Sequence, residues 1–246
     1  MWFDKCDNDT RWAEAARHLS KPDPVLAKVI ARVGPCEMAP RKDYFVALCR
    51  AIFAQQVNVK VAQVLFDRFR NLLPKAKLSP EAVREILSDA EKYKGCGLSR
   101  QKASYLKDLA AHFADNRIPV RKLAKMTDEE VIETLVAVKG VGRWTAEMFL
   151  MFVLNRPDVL PVDDLGMREG FRDIYGLKER PGKAEITEFA ERWRPYRSVA
   201  TWYLWRRNSV VPVNNVKAPK NVKAAKPARS PRAATRPRSP VAAKKK

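Results

Sequence analysis

Lys139-Gly140-Val141-Gly142-Arg143 is a glycine hairpin set between two apolar-periodic segments, and beyond the second segment an acidic pair, Asp163-Asp164, interrupts an apolar loop. Thr127 and Glu130 have the spacing of a capping box, so a helix starts there. Val131, Ile132, Leu135 and Val138 continue it at helical spacing. Gly140 and Gly142 can adopt positive φ without steric cost, which permits a sharp reversal. Val141 between them can anchor the turn in a core. The next helix is expected to open near Arg143, with Trp144, Met148, Phe149, Phe152 and Val153 on its apolar side. Unpaired N–H groups at that helix start carry partial positive charge and suit an anion such as a phosphate. Lys139 and Arg143 flank them. The same residues also suit an ordinary tight connection between packed helices.

The rest of the chain is patterned as helix almost throughout. Helices are expected over about 23–34, 42–55, 58–72, 80–89, 99–115, 127–138, 143–154, 164–174, 183–193 and 196–209. Strand-like alternation is scarce, so the fold class is all-α. The 246 residues suffice for one large domain or two small lobes. The domain is expected over 1–212, followed by a low-complexity tail over 213–246. That tail is rich in Ala, Lys, Pro, Arg and Ser, and its composition predicts disorder.

Net charge is +20, which favours a polyanionic partner. From Lys217 to Lys246 there are 11 basic and no acidic residues; the remainder still holds 37 basic against 28 acidic ones. The folded part is therefore basic in its own right, and the tail suits either non-specific DNA tethering or simple solubilisation. Cys6, Cys36, Cys49 and Cys96 are scattered, which excludes a zinc-finger or iron–sulfur spacing. Reduced thiols fit a cytosolic or nuclear protein. His18 and His112 are too few for a histidine-ligated metal. No signal peptide and no membrane-spanning run is visible.

Four segments in order resemble the helix-hairpin-helix DNA glycosylase superfamily, most nearly its 3-methyladenine DNA glycosylase II branch, the alkylation-repair one. They are Arg50 to Ala62 with Gln55-Gln56-Val57-Asn58, Gly95 to Ala103 with Gly97-Leu98-Ser99, the hairpin with Leu160-Pro161-Val162-Asp163-Asp164, and Trp193-Arg194-Pro195-Tyr196-Arg197-Ser198. The resemblance covers about residues 20–210. It implies two helical lobes flanking a DNA cleft, one lobe mixing N-terminal and C-terminal segments. About 20 residues precede Lys21-Pro22-Asp23-Pro24, so a compact form without an N-terminal β domain is expected.

The resemblance also assigns roles. Asp164 falls on the catalytic aspartate; a fixed anion there stabilises positive charge developing on deoxyribose and can orient water. Read without the family, Asp164 is a good helix N-cap; once Asp164 is catalytic, Asp163 is the more natural cap or structural partner, and the two acids could exchange roles. Trp144 stands where members that also cut the backbone place a Schiff-base lysine, so hydrolysis by water alone is implied. Trp205 falls on an aromatic wall of the base pocket, with Trp202 beside it on the same helix and Met148 where some relatives have a tyrosine. Aromatic faces attract cationic alkylated purines by on the order of 0.5–2 kcal/mol. Gln56 is the candidate wedge that fills the space left by a flipped base, and Gln55 is a candidate cap for the helix starting near Asn58. Lys102 suits either a phosphate contact or a solvated helix position, and Arg197 a backbone contact or a packing role.

The implied activity is that of a monofunctional DNA glycosylase which flips out alkylated purines, cleaves the N-glycosidic bond and leaves an abasic site. Its partner is double-stranded DNA, met as a monomer in a nucleoid or nucleus. No cofactor is needed, though hairpin carbonyls in this superfamily can hold a monovalent cation. Two alternatives remain at this stage: an architectural DNA-binding protein without catalysis, and a glycosylase for oxidised or mismatched bases.

Overall fold

The structure, a computed structural model, describes residues 11–206. Eleven α-helices and four short 3-10 turns lie in this span, and no strand occurs among the described residues. The helices are α1 Arg11–Ser20, α2 Pro24–Val33, α3 Tyr44–Ala54, α4 Val59–Asn71, α5 Pro80–Ile86, α6 Arg100–Ala114, α7 Asp128–Val136, α8 Arg143–Phe152, α9 Leu165–Tyr175, α10 Lys183–Ala190 and α11 Arg197–Trp205. All ten expected helices are present. The stretch expected as 183–193 ends instead in a separate 3-10 turn, Glu191–Trp193. The additional helix α1 packs on α2 and α11. The expected tail, 213–246, and Cys6 lie outside the described residues.

Helix boundaries follow local chemistry. Asp23, Asn58, Ser79, Ser99 and Thr127 each accept a hydrogen bond from the N–H three residues on, which satisfies a donor that the helix cannot. Thr127 and Glu130 form the expected capping box in full.

The helices pack into two groups. In one, α3 packs on α4, α6 and α8, α5 packs on α6, and α7 packs on α8. In the other, α1 and α2 from the start of the chain pack on α9 and α11 from its end. This second grouping has a polar centre. Asp23 is only 3% exposed and accepts from the Tyr175 hydroxyl, from Trp193 Nε1 at 2.9 Å and from the Leu26 amide at 2.9 Å. A buried carboxylate is tolerated when its lone pairs are filled in this way. Phe171, Tyr175, Phe189 and Trp193 stack around one another beside it. Arg197 is tied to Asp158 at 2.7 and 3.0 Å, and the buried Ser198 hydroxyl accepts from the Val159 amide at 2.9 Å. The Arg197 and Ser198 side chains therefore brace the fold from within, which for Arg197 is the packing role of the two expected. His18 and His112 are packing residues, bonded to the Arg194 and Asp108 carbonyls respectively.

Candidate active site and DNA-facing loops

Two tryptophans from different helices converge on one carboxylate. Trp144 Nε1, from the first turn of α8, donates to Asp164 Oδ2 at 2.8 Å. Trp205 Nε1, from the last turn of α11, donates to Asp164 Oδ1 at 2.7 Å. The Met167 amide also donates to Oδ1, because Asp164 is the N-cap of α9. Of about four lone-pair positions on a carboxylate, three are thus filled, and the open one lies on Oδ2. Asp164 is half-buried, while Trp144 is 43% exposed. The carboxylate is fixed in orientation yet reachable from outside.

Of the two roles expected of Asp163, cap or structural partner, the structure gives it the second. Asp163 is exposed and pairs with Lys183, while Asp164 is both the cap of α9 and the acceptor for the two indoles. The two roles are compatible because capping engages only one of the carboxylate's two oxygens.

The walls of the site differ partly from expectation. Trp205 stacks on Phe152 with ring centroids 5.6 Å apart. Gly166 lies against it: a Cβ built there would sit 3.2 Å from Asp164 Oδ1 and 3.4 Å from Trp205 Nε1. Trp202, by contrast, is 2% exposed, edge-on to Tyr203, with the Arg206 guanidinium 3.2 Å from its ring centre. It is a core residue, because a cation already covers the ring that a base would need. Met148 follows Trp144 by one turn on α8 but is also 2% exposed. It lies in the core and presents no open face.

The hairpin reverses the chain between α7 and α8. Gly140 has φ +81°, and a Cβ there would fall 2.2 Å from the Tyr105 ring, so only glycine fits. Gly142 has an ordinary φ of −95°, contrary to expectation. Open space surrounds it, and no side chain caps α8. The first N–H groups of α8 therefore face outward without a side-chain acceptor, which is the condition for binding an anion. Val141 is buried as the anchor. The Lys139 side chain is exposed, and its amide donates to Asp108 Oδ2 at 2.8 Å.

Arg143 is not an unpaired cation beside this helix start. Its guanidinium makes two bonds to Glu129, at 2.8 and 3.0 Å, and a third to Glu147 at 3.3 Å. Sequence spacing gives Glu129 no obvious route to residue 143; the hairpin itself folds α7 back alongside α8. Glu147 is 6% exposed, and burial pushes its carboxyl up to about 7, with Arg143 opposing the rise.

The loop between α3 and α4 carries Gln56 at its tip, exposed and at φ +58°. Asn58, not Gln55, caps α4, accepting from the Val61 amide at 2.9 Å. Gln55 instead donates through Nε2 to the Gly140 carbonyl at 2.7 Å. Lys102 neither extends into solvent nor stands ready for phosphate. Its Nζ donates to the Phe53 carbonyl at 2.8 Å, and desolvation lowers its pKa. These links were missed because their partners are 85 and 49 residues apart in the chain.

With this geometry in place, comparison with known proteins is decisive. The family model described as HhH-GPD superfamily base excision DNA repair protein matches residues 49–195. The chain belongs to that family. It is 35% identical over 216 residues to DNA-3-methyladenine glycosylase 1 of Schizosaccharomyces pombe, covering 86% of this chain and 94% of that protein. It is 34% identical over 198 residues to DNA-3-methyladenine glycosylase of Saccharomyces cerevisiae, covering 67% of each. Among solved structures, the S. pombe 3-methyladenine DNA glycosylase in complex with abasic DNA superposes with a TM-score of 0.71 at 35% identity, over 78% of this chain and 95% of that one. A DNA-3-methyladenine glycosidase from Bacillus halodurans gives 0.70 at 31% identity, over 82% and 90%. The HhH-GPD match includes the Gln56 loop, the hairpin and Asp164.

Proposed function

We propose that this HhH-GPD protein is a monofunctional DNA glycosylase that removes alkylated purines of the 3-methyladenine and 7-methylguanine type, with Asp164 as its catalytic carboxylate. The observation that carries the reading is the pair of indole donors on Asp164. A solvent-reachable acid with an exposed aromatic ring against it suits a cationic base attached to a sugar that becomes cationic as the bond breaks. The hydrogen bonds from Trp144, Trp205 and Met167 keep the negative charge in place, so little reorganisation is needed when the oxocarbenium-like sugar forms. The open position on Oδ2 suits a water molecule, which attacks the sugar carbon while the neutral purine leaves with the bonding electrons. Trp144 carries no nucleophilic amine, so no Schiff base forms and the product is an abasic site.

DNA is engaged by backbone and by wedge. The open N-terminus of α8 meets a phosphate, the exposed Lys139 adds charge, and Gln56 enters the stack as the base leaves it. The basic segment over 213–246 adds sequence-independent, salt-sensitive affinity, and the site of action is wherever the cell keeps its DNA. The Gly140 carbonyl is taken by Gln55, so a monovalent cation at the hairpin would draw on other carbonyls there; no chemical step needs it.

The test is release of methylated purine from alkylated duplex by the wild-type protein and by Asp164→Asn. Asparagine is an equally good N-cap, so folding is spared. Release slowed on the order of 10²-fold or more is the expected result. Duplex binding without any release by the wild type would instead identify an architectural DNA-binding protein. Equal rates for the two proteins would remove Asp164 from the chemistry.

A further inference from the structure

Side chains of α6, together with Gln55 just beyond the end of α3, tie the two DNA-facing loops to a common support. Lys102, Tyr105 and Asp108 follow one another at three-residue intervals, so they track along one side of α6. Lys102 Nζ bonds the Phe53 carbonyl at 2.8 Å, in the last turn of α3 just before the Gln56 loop. The Tyr105 ring fills the space that a side chain at Gly140 would need, and Gln101 Nε2 holds its hydroxyl at 2.7 Å. Asp108 Oδ2 takes the Lys139 amide at 2.8 Å. Gln55 then spans directly from one loop to the other, with Nε2 on the Gly140 carbonyl at 2.7 Å. Gln56, next to it, stands in the left-handed region, where a non-glycine residue persists only if its surroundings hold it.

We propose that α6 is a rail that fixes the spacing of the Gln56 loop and the hairpin, with Gln55 and Lys102 as positioning residues for the wedge. This rests on the glycosylase reading for what the wedge accomplishes, but the spacing itself belongs to the protein. A wedge inserted in the minor groove works only if the phosphate grip of α8 resists its push. The Gln55–Gly140 bond carries that reaction force from one loop to the other. Lys102 is suited to its part because its partly buried amine bonds the Phe53 carbonyl, where a terminal cation satisfies a free acceptor in the last turn of α3.

The experiment compares wild type with Gln55→Ala, Lys102→Met and the conservative Lys102→Arg. Duplex opening is read by 2-aminopurine fluorescence beside a defined lesion, and base release is read from the same lesion in a fully paired duplex and in an unpaired bulge. The bulge needs little wedging. Gln55→Ala and Lys102→Met are expected to lose about tenfold in duplex opening and in release from paired DNA, with a much smaller loss from the bulge. Lys102→Arg is expected to recover most of the opening. Equal losses on both substrates, or unchanged 2-aminopurine opening, overturn the rail. A wild type that opens the duplex but releases no base from either substrate contradicts the glycosylase reading and leaves the opening comparison to decide the rail.

Discussion

Gly170→Ala tests how closely the site depends on the packing of α9 against α11. A Cβ at position 170 would lie 2.2 Å from the Leu204 carbonyl oxygen and 2.8 Å from its carbon. Both are backbone atoms of α11, so no side chain can turn aside. Ordinary contact begins at 3.4 Å, so the two helices must part by about 1 Å. Trp205 follows Leu204 directly and moves with it. Its hydrogen bond to Asp164, now 2.7 Å, would stretch to roughly 3.7 Å, which is no longer a hydrogen bond. Overpacking of this kind costs about 1–3 kcal/mol, which lowers the melting temperature by roughly 3–10 °C in a domain of this size. Misplacement by about 1 Å also lowers the rate on the order of 10²-fold. Single-turnover release of methylated purine, measured well below the melting transition, separates the two effects. Gly182→Ala is the control, since its Cβ would meet nothing nearer than 3.5 Å. A Gly170→Ala protein with wild-type melting and wild-type release would refute the claim that this contact sets the Trp205–Asp164 geometry.

Three other substitutions have definite expected outcomes. Trp144→Phe removes the donor to Oδ2 while keeping an aromatic face, and release should fall about tenfold, the worth of one charge-assisted hydrogen bond, with melting nearly unchanged because the residue is 43% exposed and phenylalanine keeps most of its apolar contact. Glu147 has a folded pKa raised to about 7 by burial, so its contribution to stability is full below its ordinary carboxylate value and is lost as pH rises through about 7. Glu147→Gln should accordingly flatten the fall in melting temperature between about pH 5 and 8, and an unchanged slope would show that another group is responsible. Arg197→Met leaves Asp158 short of its main partner and should cost about 2 kcal/mol or more in chemical denaturation, while affinity of the folded fraction for duplex DNA stays the same.

The helices and their caps were legible because they are local. Thr127 with Glu130, Ser79 before Pro80, and Ser99 each announce a helix start within a few residues, and the structure follows them. Asp164 stands out as a candidate site only through the family motif, since its local signature is that of a cap, which the structure shows it to be. What could not be read were partners brought together by the fold. Trp202 and Trp205 look alike in sequence, yet Arg206 covers one while the other donates to Asp164. Arg143 reads as an open cation until α7 returns Glu129 to it. Gln55 reads as a cap because its real acceptor, the Gly140 carbonyl, is 85 residues away.

The Asp23 centre has a consequence for biosynthesis. Asp23 emerges from the ribosome early, but Tyr175 and Trp193, which donate to it, are made some 150 to 170 residues later. Until then its carboxylate has only the Leu26 amide and water as partners, and the grouping of α1 and α2 with α9 and α11 has no second half. The α3–α8 portion ends at Phe152, so it is complete before Tyr175 and Trp193 are made and can condense during translation. The surface between the two parts closes only when synthesis is almost complete, so a nascent or prematurely terminated chain has no assembled Trp144–Asp164–Trp205 cluster.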